Sequence, residues 1–132
     1  MTDKKFLKKI IAQSAEDLKV ISACCSEATV KLSDIKYLKD NKIFLIFLKR
    51  SNKEENDELK KVFSIIKFEY IESSKSKNID KSNPELVLEL LAIELFKREK
   101  ILEIVLLFSK NRIITLTSEI LEATLEDQKY IK

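Results

Sequence analysis

An uninterrupted apolar run at residues 43–48 constrains the fold of this chain more than any other feature. The run reads Ile-Phe-Leu-Ile-Phe-Leu, so a strand built from it would be apolar on both sides. A strand of that kind belongs in the middle of a sheet that is covered on both faces. We therefore predict a central strand here, with the odd-numbered residues on one face and the even-numbered residues on the other.

A hairpin is predicted to lead into this central strand. Residues 30–39 form a second β-prone run, and the polar pair Asp40 and Asn41 separates it from the apolar run. Asparagine tolerates the positive φ angle that a tight turn requires. The turn is therefore predicted at Asp40 and Asn41.

Length and charge set the broad class of the protein. With 132 residues the chain can form one domain with its own core, so we expect a single domain over residues 1–132. No apolar segment approaches the ~18 residues that span a bilayer, and no signal-peptide pattern follows Met1. We expect a cytoplasmic protein without membrane association. The net charge of +3 is small for a dedicated nucleic-acid binder, so nucleic acid is not the favoured partner.

Two missing residue types exclude several kinds of active site. The chain has no glycine, so it cannot form a Gly-rich phosphate loop, a dinucleotide-binding GxGxxG or a GxSxG nucleophile elbow. It has no histidine, which is the commonest general base and transition-metal ligand. The sequence therefore favours a protein that is not an enzyme, with no catalytic residues, no metal site and no cofactor.

One helix is predicted in the N-terminal half, over residues 15–26. Ser14 can accept from the free amides of the first turn, and Asp17 can reach back toward the helix start. Leu18, Ile21 and Cys25 form one apolar face at helical spacing. This helix is the expected cover for one face of the sheet. We interpret Cys24 and Cys25 as small buried hydrophobes rather than as redox groups.

The remaining segments alternate between strand and loop patterns. Strands are predicted at residues 5–12, 62–71, 101–108 and 113–117, and polar loops at residues 51–58 and 73–83. The polar tail at residues 125–132 is predicted to fray. Residues 84–97 are ambiguous, because Asn83, Pro84 and Glu85 form a good helix start.

The order of these segments resembles the alphaproteobacterial domain-of-unknown-function family numbered 2948. The resemblance is carried by residues 14–23, 30–38, 90–93 and 113–127. It implies that residues 86–96 form a strand, which overrides the local helix signal. It also implies turns at Asn78 and Asn111, where the family tends to have glycine. The family supplies no catalytic residues.

Arg50, Lys75 and Lys77 are the candidate binding residues. They stand at or near predicted strand ends, at positions that are also basic in the resembled family. If the loops lie at one end of the sheet, these side chains would form a rim for a phosphate or an acidic partner. Solvated surface lysines are the competing interpretation.

The predicted architecture is α+β: a curved antiparallel sheet of about six or seven strands, barrel-like if it curls far enough, packed by one helix. The uncovered apolar face favours a homo-oligomer, with a homodimer preferred. We expect a non-catalytic protein-interaction or binding module with a protein partner. The alternatives are an anion or nucleic-acid binder using Arg50, Lys75 and Lys77, with Tyr37, Phe68 and Tyr70 as a stacking platform, and an enzyme using paired carboxylates.

Overall fold

The computed structural model of the protein describes residues 7–53 and 59–131. The helix α1 is Ala15–Cys24, and the strands are β1 Lys9–Ala12, β2 Thr29–Lys31, β3 Ile35–Leu38, β4 Ile43–Lys53, β5 Leu59–Phe68, β6 Ile71–Lys77, β7 Val87–Arg98, β8 Ile101–Phe108, β9 Arg112–Ser118 and β10 Ala123–Tyr130. The α+β class and the curved antiparallel sheet are confirmed. The predicted number of strands is wrong, because residues 7–53 and 59–131 form a sheet of ten strands rather than six or seven.

The ten strands form one open, curled sheet that does not close into a barrel. The strand order is β1, β10, β5, β4, β2, β7, β8, β9 and β6. Strand β3 lies outside this order and pairs with residues 43–46 of β4. Strand β2 joins the two halves, since Thr29 pairs with Lys49 of β4 on one side and with Glu89 of β7 on the other. Within the described residues, no helix has the length and apolar character needed to cross a membrane.

The predicted hairpin into the central strand is confirmed. Strand β3 pairs with β4 so that Leu38 lies opposite Ile43, and a short 3₁₀ turn at Lys39–Asn41 connects them. The residue with positive φ is Lys42, at 58°, and not Asn41 as predicted. Asn41 is the last residue of the 3₁₀ turn, so the left-handed conformation falls one residue later, at Lys42.

The alternation of faces in β4 is confirmed, but the outer face is less covered than predicted. Phe44, Ile46 and Leu48 are at most 2% exposed and lie in the core. On the other face, Phe47 remains 36% exposed. The reason is that α1 packs on the inner face, against β7, β1 and β4, and no described element packs over Phe47.

The start of helix α1 follows the capping prediction. The hydroxyl oxygen of Ser14 accepts a hydrogen bond from the backbone N–H of Asp17 at 3.2 Å. The Asp17 carboxylate reaches back and accepts from the N–H of Gln13 at 3.4 Å. Leu18 and Ile21 are buried against the sheet, as their spacing indicated.

The resemblance resolved the ambiguous segment correctly. Residues 86–96 lie almost wholly in strand β7, and the local helix signal at Asn83 and Pro84 is wrong. Long-range pairing with β8 explains the outcome, since a long ladder outweighs a weak local preference. Asn78 and Asn111 have φ angles of 62° and 59°, so both occupy the turn positions that the resemblance implied.

Two polar segments are strands that the sequence pattern did not reveal. Residues 71–77 form β6, which pairs with β9, although residues 73–83 were predicted as a loop. Residues 123–130 form β10 between β1 and β5, so the prediction of a frayed tail is wrong. Residues 51–53 of the loop predicted at residues 51–58 belong to β4, and residues 54–58 lie outside the described residues.

Candidate anion-binding groove

A row of three side chains crosses the outer face of the sheet. Strand register places Lys49 of β4 and Lys129 of β10 on either side of Phe63 of β5. Each ammonium nitrogen lies 5.7 Å from the centroid of the Phe63 ring. Both distances are within the range of a cation–π contact. We call these three residues the lysine–phenylalanine row.

A β-bulge in β10 orients the Lys129 side chain toward Phe63. The pairing with β5 shifts by one residue between Asp127, which lies opposite Ser64, and Lys129, which lies opposite Phe63. The extra residue is Gln128, and both Gln128 and Lys129 are exposed while Asp127 is buried. Without the bulge, strict alternation would turn Lys129 to the same side as Asp127.

The row lies in a groove of about 630 Å³ on the outer face. Phe47 and Ile65 contribute apolar surface beside the row. Strand β2 contributes Lys31, and β7 contributes Val87. A volume of this size is typical of pockets that hold a small molecule or one segment of a larger partner.

The charge of the groove is predominantly positive. Among the described residues, Lys49, Lys129 and Lys31 line it together with a single carboxylate, that of Asp34. Lys31 is engaged with Glu85 in an exposed ion pair at 3.2 Å. Within the described residues, neither Lys49 nor Lys129 has a carboxylate partner. The arrangement can hold an anion that also presents an apolar or aromatic surface.

A buried ion pair lies on the opposite side of the same three strands. Arg50 donates from Nη2 to Oδ2 of Asp127 at 2.6 Å and from Nε to Oδ1 at 3.0 Å. Ser64 donates its hydroxyl to Oδ1 at 2.6 Å, and the backbone N–H of Lys8 donates to Oδ2 at 2.9 Å. Asp127 thus accepts four hydrogen bonds and links β4, β5 and the residue before β1. We call Arg50, Ser64 and Asp127 the buried polar cluster.

Cys25 lies in the core close to this cluster. Burial raises the pKa of its thiol from the ordinary value of 9.0 to about 12, although the charge of Arg50 lowers it in part. A thiol with a raised pKa is neutral and a poor nucleophile near pH 7. Both cysteines are free thiols, and Cys25 is buried as predicted, while Cys24 is half-buried.

The structure places the three predicted binding residues in two different environments. Lys75 and Lys77 are exposed on β6, where their side chains point outward next to β9. Arg50 is only 2% exposed, and its guanidinium is bonded to Asp127 inside the core. The structure therefore brings Lys75 and Lys77 together on one strand and does not bring Arg50 to them.

The aromatic residues considered for stacking also lie apart. Phe68 is fully buried in the core and cannot stack on a base. The Tyr37 hydroxyl donates to the backbone oxygen of Ile71 at 2.9 Å. Tyr70 occupies the turn between β5 and β6, with a φ angle of 61°. The aromatic surface next to lysines is that of Phe47 and Phe63 instead.

Sequence reasoning missed the lysine–phenylalanine row because its members come from three strands. Lys49 and Phe63 are fourteen positions apart, and Lys129 lies in the segment that was predicted to fray. Only the register of β4, β5 and β10 brings them together. The one available signal was the pair Lys60 and Lys61 shortly before Phe63, which does not identify the cross-strand partners.

The site offers no grouping typical of metal binding or carboxylate catalysis. Among the described residues, no three metal-ligating side chains lie together. The groove has one acid, and a second pocket of about 250 Å³ between β3 and β6 is lined by none. Acid–base catalysis by carboxylates alone requires at least two that converge.

Comparison with known proteins identifies a family but no characterised relative. A family model described as "Protein of unknown function (DUF2948)" matches residues 8–131. The match covers both the groove and the buried polar cluster, and it confirms the resemblance to family 2948. No curated protein and no solved structure matches the chain.

Proposed function

The chain belongs to domain-of-unknown-function family 2948, and from the geometry of its groove we propose that it is a non-catalytic binding module for an anionic partner. The observation that carries the proposal is the lysine–phenylalanine row, in which two ammonium groups flank one aromatic ring. A lysine on an aromatic face keeps its charge available to an incoming anion, and the apolar surface of the groove adds contact area.

The groove composition favours binding over catalysis. Its titratable side chains are three lysines and Asp34. A lysine acts as a base or nucleophile when burial or a neighbouring cation lowers its pKa. Lys49 and Lys129 are exposed on the groove surface and can meet an anion there. The enzyme hypothesis with paired carboxylates has no support in this groove.

An NMR titration of the full chain with inorganic tripolyphosphate tests the proposal. We expect the largest chemical-shift changes at the backbone amides of Lys49, Phe63 and Lys129, because the anion should bind between the two ammonium groups. The double variant Lys49→Gln/Lys129→Gln should lose these changes. Its matched control is Lys75→Gln/Lys77→Gln, which removes the same charge from two exposed strand positions on β6.

The matched control also tests the second candidate site. Lys75 and Lys77 are both exposed on one edge strand, which supports the alternative of an anion-binding rim there. If the chemical-shift changes appear on β6 and disappear in Lys75→Gln/Lys77→Gln, the anion binds at the rim on β6 and not in the groove. If tripolyphosphate shifts neither region, the proposal of an anion-binding module is wrong.

We further propose that the module is a cytoplasmic bacterial protein and a homodimer. Its two free thiols suit a reducing compartment. The exposed apolar side chains of Leu91 and Phe96 on β7, outside the groove, favour burial against a second copy of the chain. Light scattering on the eluting chromatographic peak at micromolar concentration should give twice the mass of the chain. A monomer mass would remove the homodimer.

A further inference from the structure

The outer face of β3, β4, β5, β10 and β1 is strongly basic. Strand register and burial turn the following charged side chains outward on this face: Lys9, Lys36, Lys49, Lys61, Lys67, Lys129 and Glu126. Among the described side chains this is six lysines against one glutamate. The face therefore carries more positive charge than the whole chain, whose net charge is +3. Six lysines that are far apart in the sequence therefore share one face of this half of the sheet.

Two aromatic rings lie within this basic face. Phe63 stands in the lysine–phenylalanine row, and Phe47 stands two residues before Lys49 on the same side of β4. Phe47 is 36% exposed, so its ring is accessible from the groove. Aromatic side chains on a sheet face beside basic residues are the usual platform for unstacked bases.

We propose that the anionic partner is single-stranded nucleic acid, which lies across this face with phosphates at Lys49 and Lys129 and a base on Phe47. This inference rests on the proposed function, because it names the partner of the same groove. A single strand supplies the two properties that the groove requires together, negative charge and flat apolar rings. An acidic peptide supplies only the first, and a duplex keeps its bases stacked away from Phe47.

The residue types on the face also predict the mode of recognition. All six cations are lysines, which act as flexible point charges and lack the planar fork with which arginine reads guanine. Phosphate contacts fix position without reading sequence, and stacking tolerates every base. Binding should therefore depend strongly on salt and weakly on base sequence.

Fluorescence anisotropy with 5′-fluorescein-labelled U12 RNA, at 50 and 200 mM salt, tests the inference. We expect Lys49→Gln/Lys129→Gln to weaken binding at least tenfold at low salt. Loss of two phosphate contacts should also reduce the slope of log affinity against log salt by about 1.4. Lys75→Gln/Lys77→Gln should stay within about threefold of the unchanged protein.

Two substitutions at Phe47 separate stacking from charge. Phe47→Leu removes the ring and keeps an apolar side chain, and it should weaken U12 binding by about tenfold with an unchanged salt slope. Phe47→Tyr keeps a flat ring and should retain the affinity. Because the side chain faces the groove, circular dichroism should show the same fold and similar melting temperatures for both variants.

Competitors distinguish this inference from the proposed function on which it rests. If tripolyphosphate binds in the groove but polyglutamate or a 12-base-pair duplex competes as well as unlabelled U12, the nucleic-acid inference is wrong and the anion-binding module stands. Wild-type affinity in Phe47→Leu likewise overturns the inference. If neither U12 nor tripolyphosphate binds, both proposals are wrong.

Discussion

Replacing Asp127 by asparagine is expected to destabilise the fold by about 3–5 kcal/mol, because it removes the charge partner of a buried arginine. Arg50 is 2% exposed and has no other carboxylate within ion-pair distance among the described residues. Asparagine has nearly the same size and shape as aspartate. The change therefore alters charge and hydrogen bonding while leaving the packing of the core intact.

The magnitude follows from the contacts of the carboxylate. Nε of Arg50 donates to Oδ1 and Nη2 donates to Oδ2, so either orientation of an asparagine amide puts its NH₂ group against an Arg50 donor. A hydrogen bond to a charged group contributes about 1.5–3 kcal/mol. The guanidinium that remains is also buried and uncompensated, which raises the cost to the ~3–5 kcal/mol measured for broken buried pairs.

Urea denaturation followed by circular dichroism measures this loss. The control is Glu126→Gln, which removes the charge of the exposed side chain directly before Asp127 on β10. This control should change the free energy of unfolding by no more than ~0.5 kcal/mol. The double variant Arg50→Met/Asp127→Leu removes both charges and should be less destabilised than the sum of its two single variants. A loss below ~1 kcal/mol for Asp127→Asn, or additive single variants, would refute the reasoning.

Three further perturbations test other parts of the structure. Burial raises the pKa of the Cys25 thiol from 9.0 to about 12; the unfolded thiol therefore loses its proton above pH 9 while the folded thiol keeps it. The contribution of Cys25 to the free energy of unfolding is complete below pH 9 and is lost as pH rises above it. Between pH 7 and pH 10, the free energy of unfolding from urea titrations should therefore fall by about 1.4 kcal/mol more for wild type than for Cys25→Ala. Tyr70→Gly should stabilise the fold by about 0.5–1 kcal/mol, seen as a higher melting temperature, because glycine relieves the φ angle of 61°. Ser14→Ala should cost about 1 kcal/mol in urea titrations through the lost N-cap bond, whereas Ser33→Ala should not.

The parts of the fold with strong local signals could be predicted from the sequence. The apolar run in β4, the turn before it and the Ser14 cap of α1 all express short-range preferences that the structure retains. Strands β6 and β10 could not be recognised, because a polar segment becomes a strand only when a neighbouring strand supplies its ladder. The helix signal at Asn83 failed for the same reason, since pairing of β7 with β8 is a long-range effect.

The candidate site was less predictable than the fold. The sequence predicts Arg50 as a binding residue because it follows a strand-like run, yet β4 continues to Lys53 and alternation turns Arg50 inward. A lone arginine in sequence does not reveal whether a carboxylate will meet it, and its partner Asp127 is 77 positions away. The position of Lys129 could not be predicted for a further reason. Its outward orientation depends on the bulge at Gln128, and no glycine or other local signal marks that bulge.

The buried polar cluster and the lysine–phenylalanine row are two sides of one strand alignment. Arg50 directly follows Lys49, Ser64 directly follows Phe63, and Asp127 precedes Lys129 by the one bulge residue. A slip of one residue in β10 would move its side chains to the opposite face, which would bury Lys129 and expose Asp127. The ion pair is only satisfied in the observed register, because Asp127 must meet Arg50 and Ser64 at once. A polar cluster that adds little net stability can therefore still select the alignment that places both lysines beside Phe63.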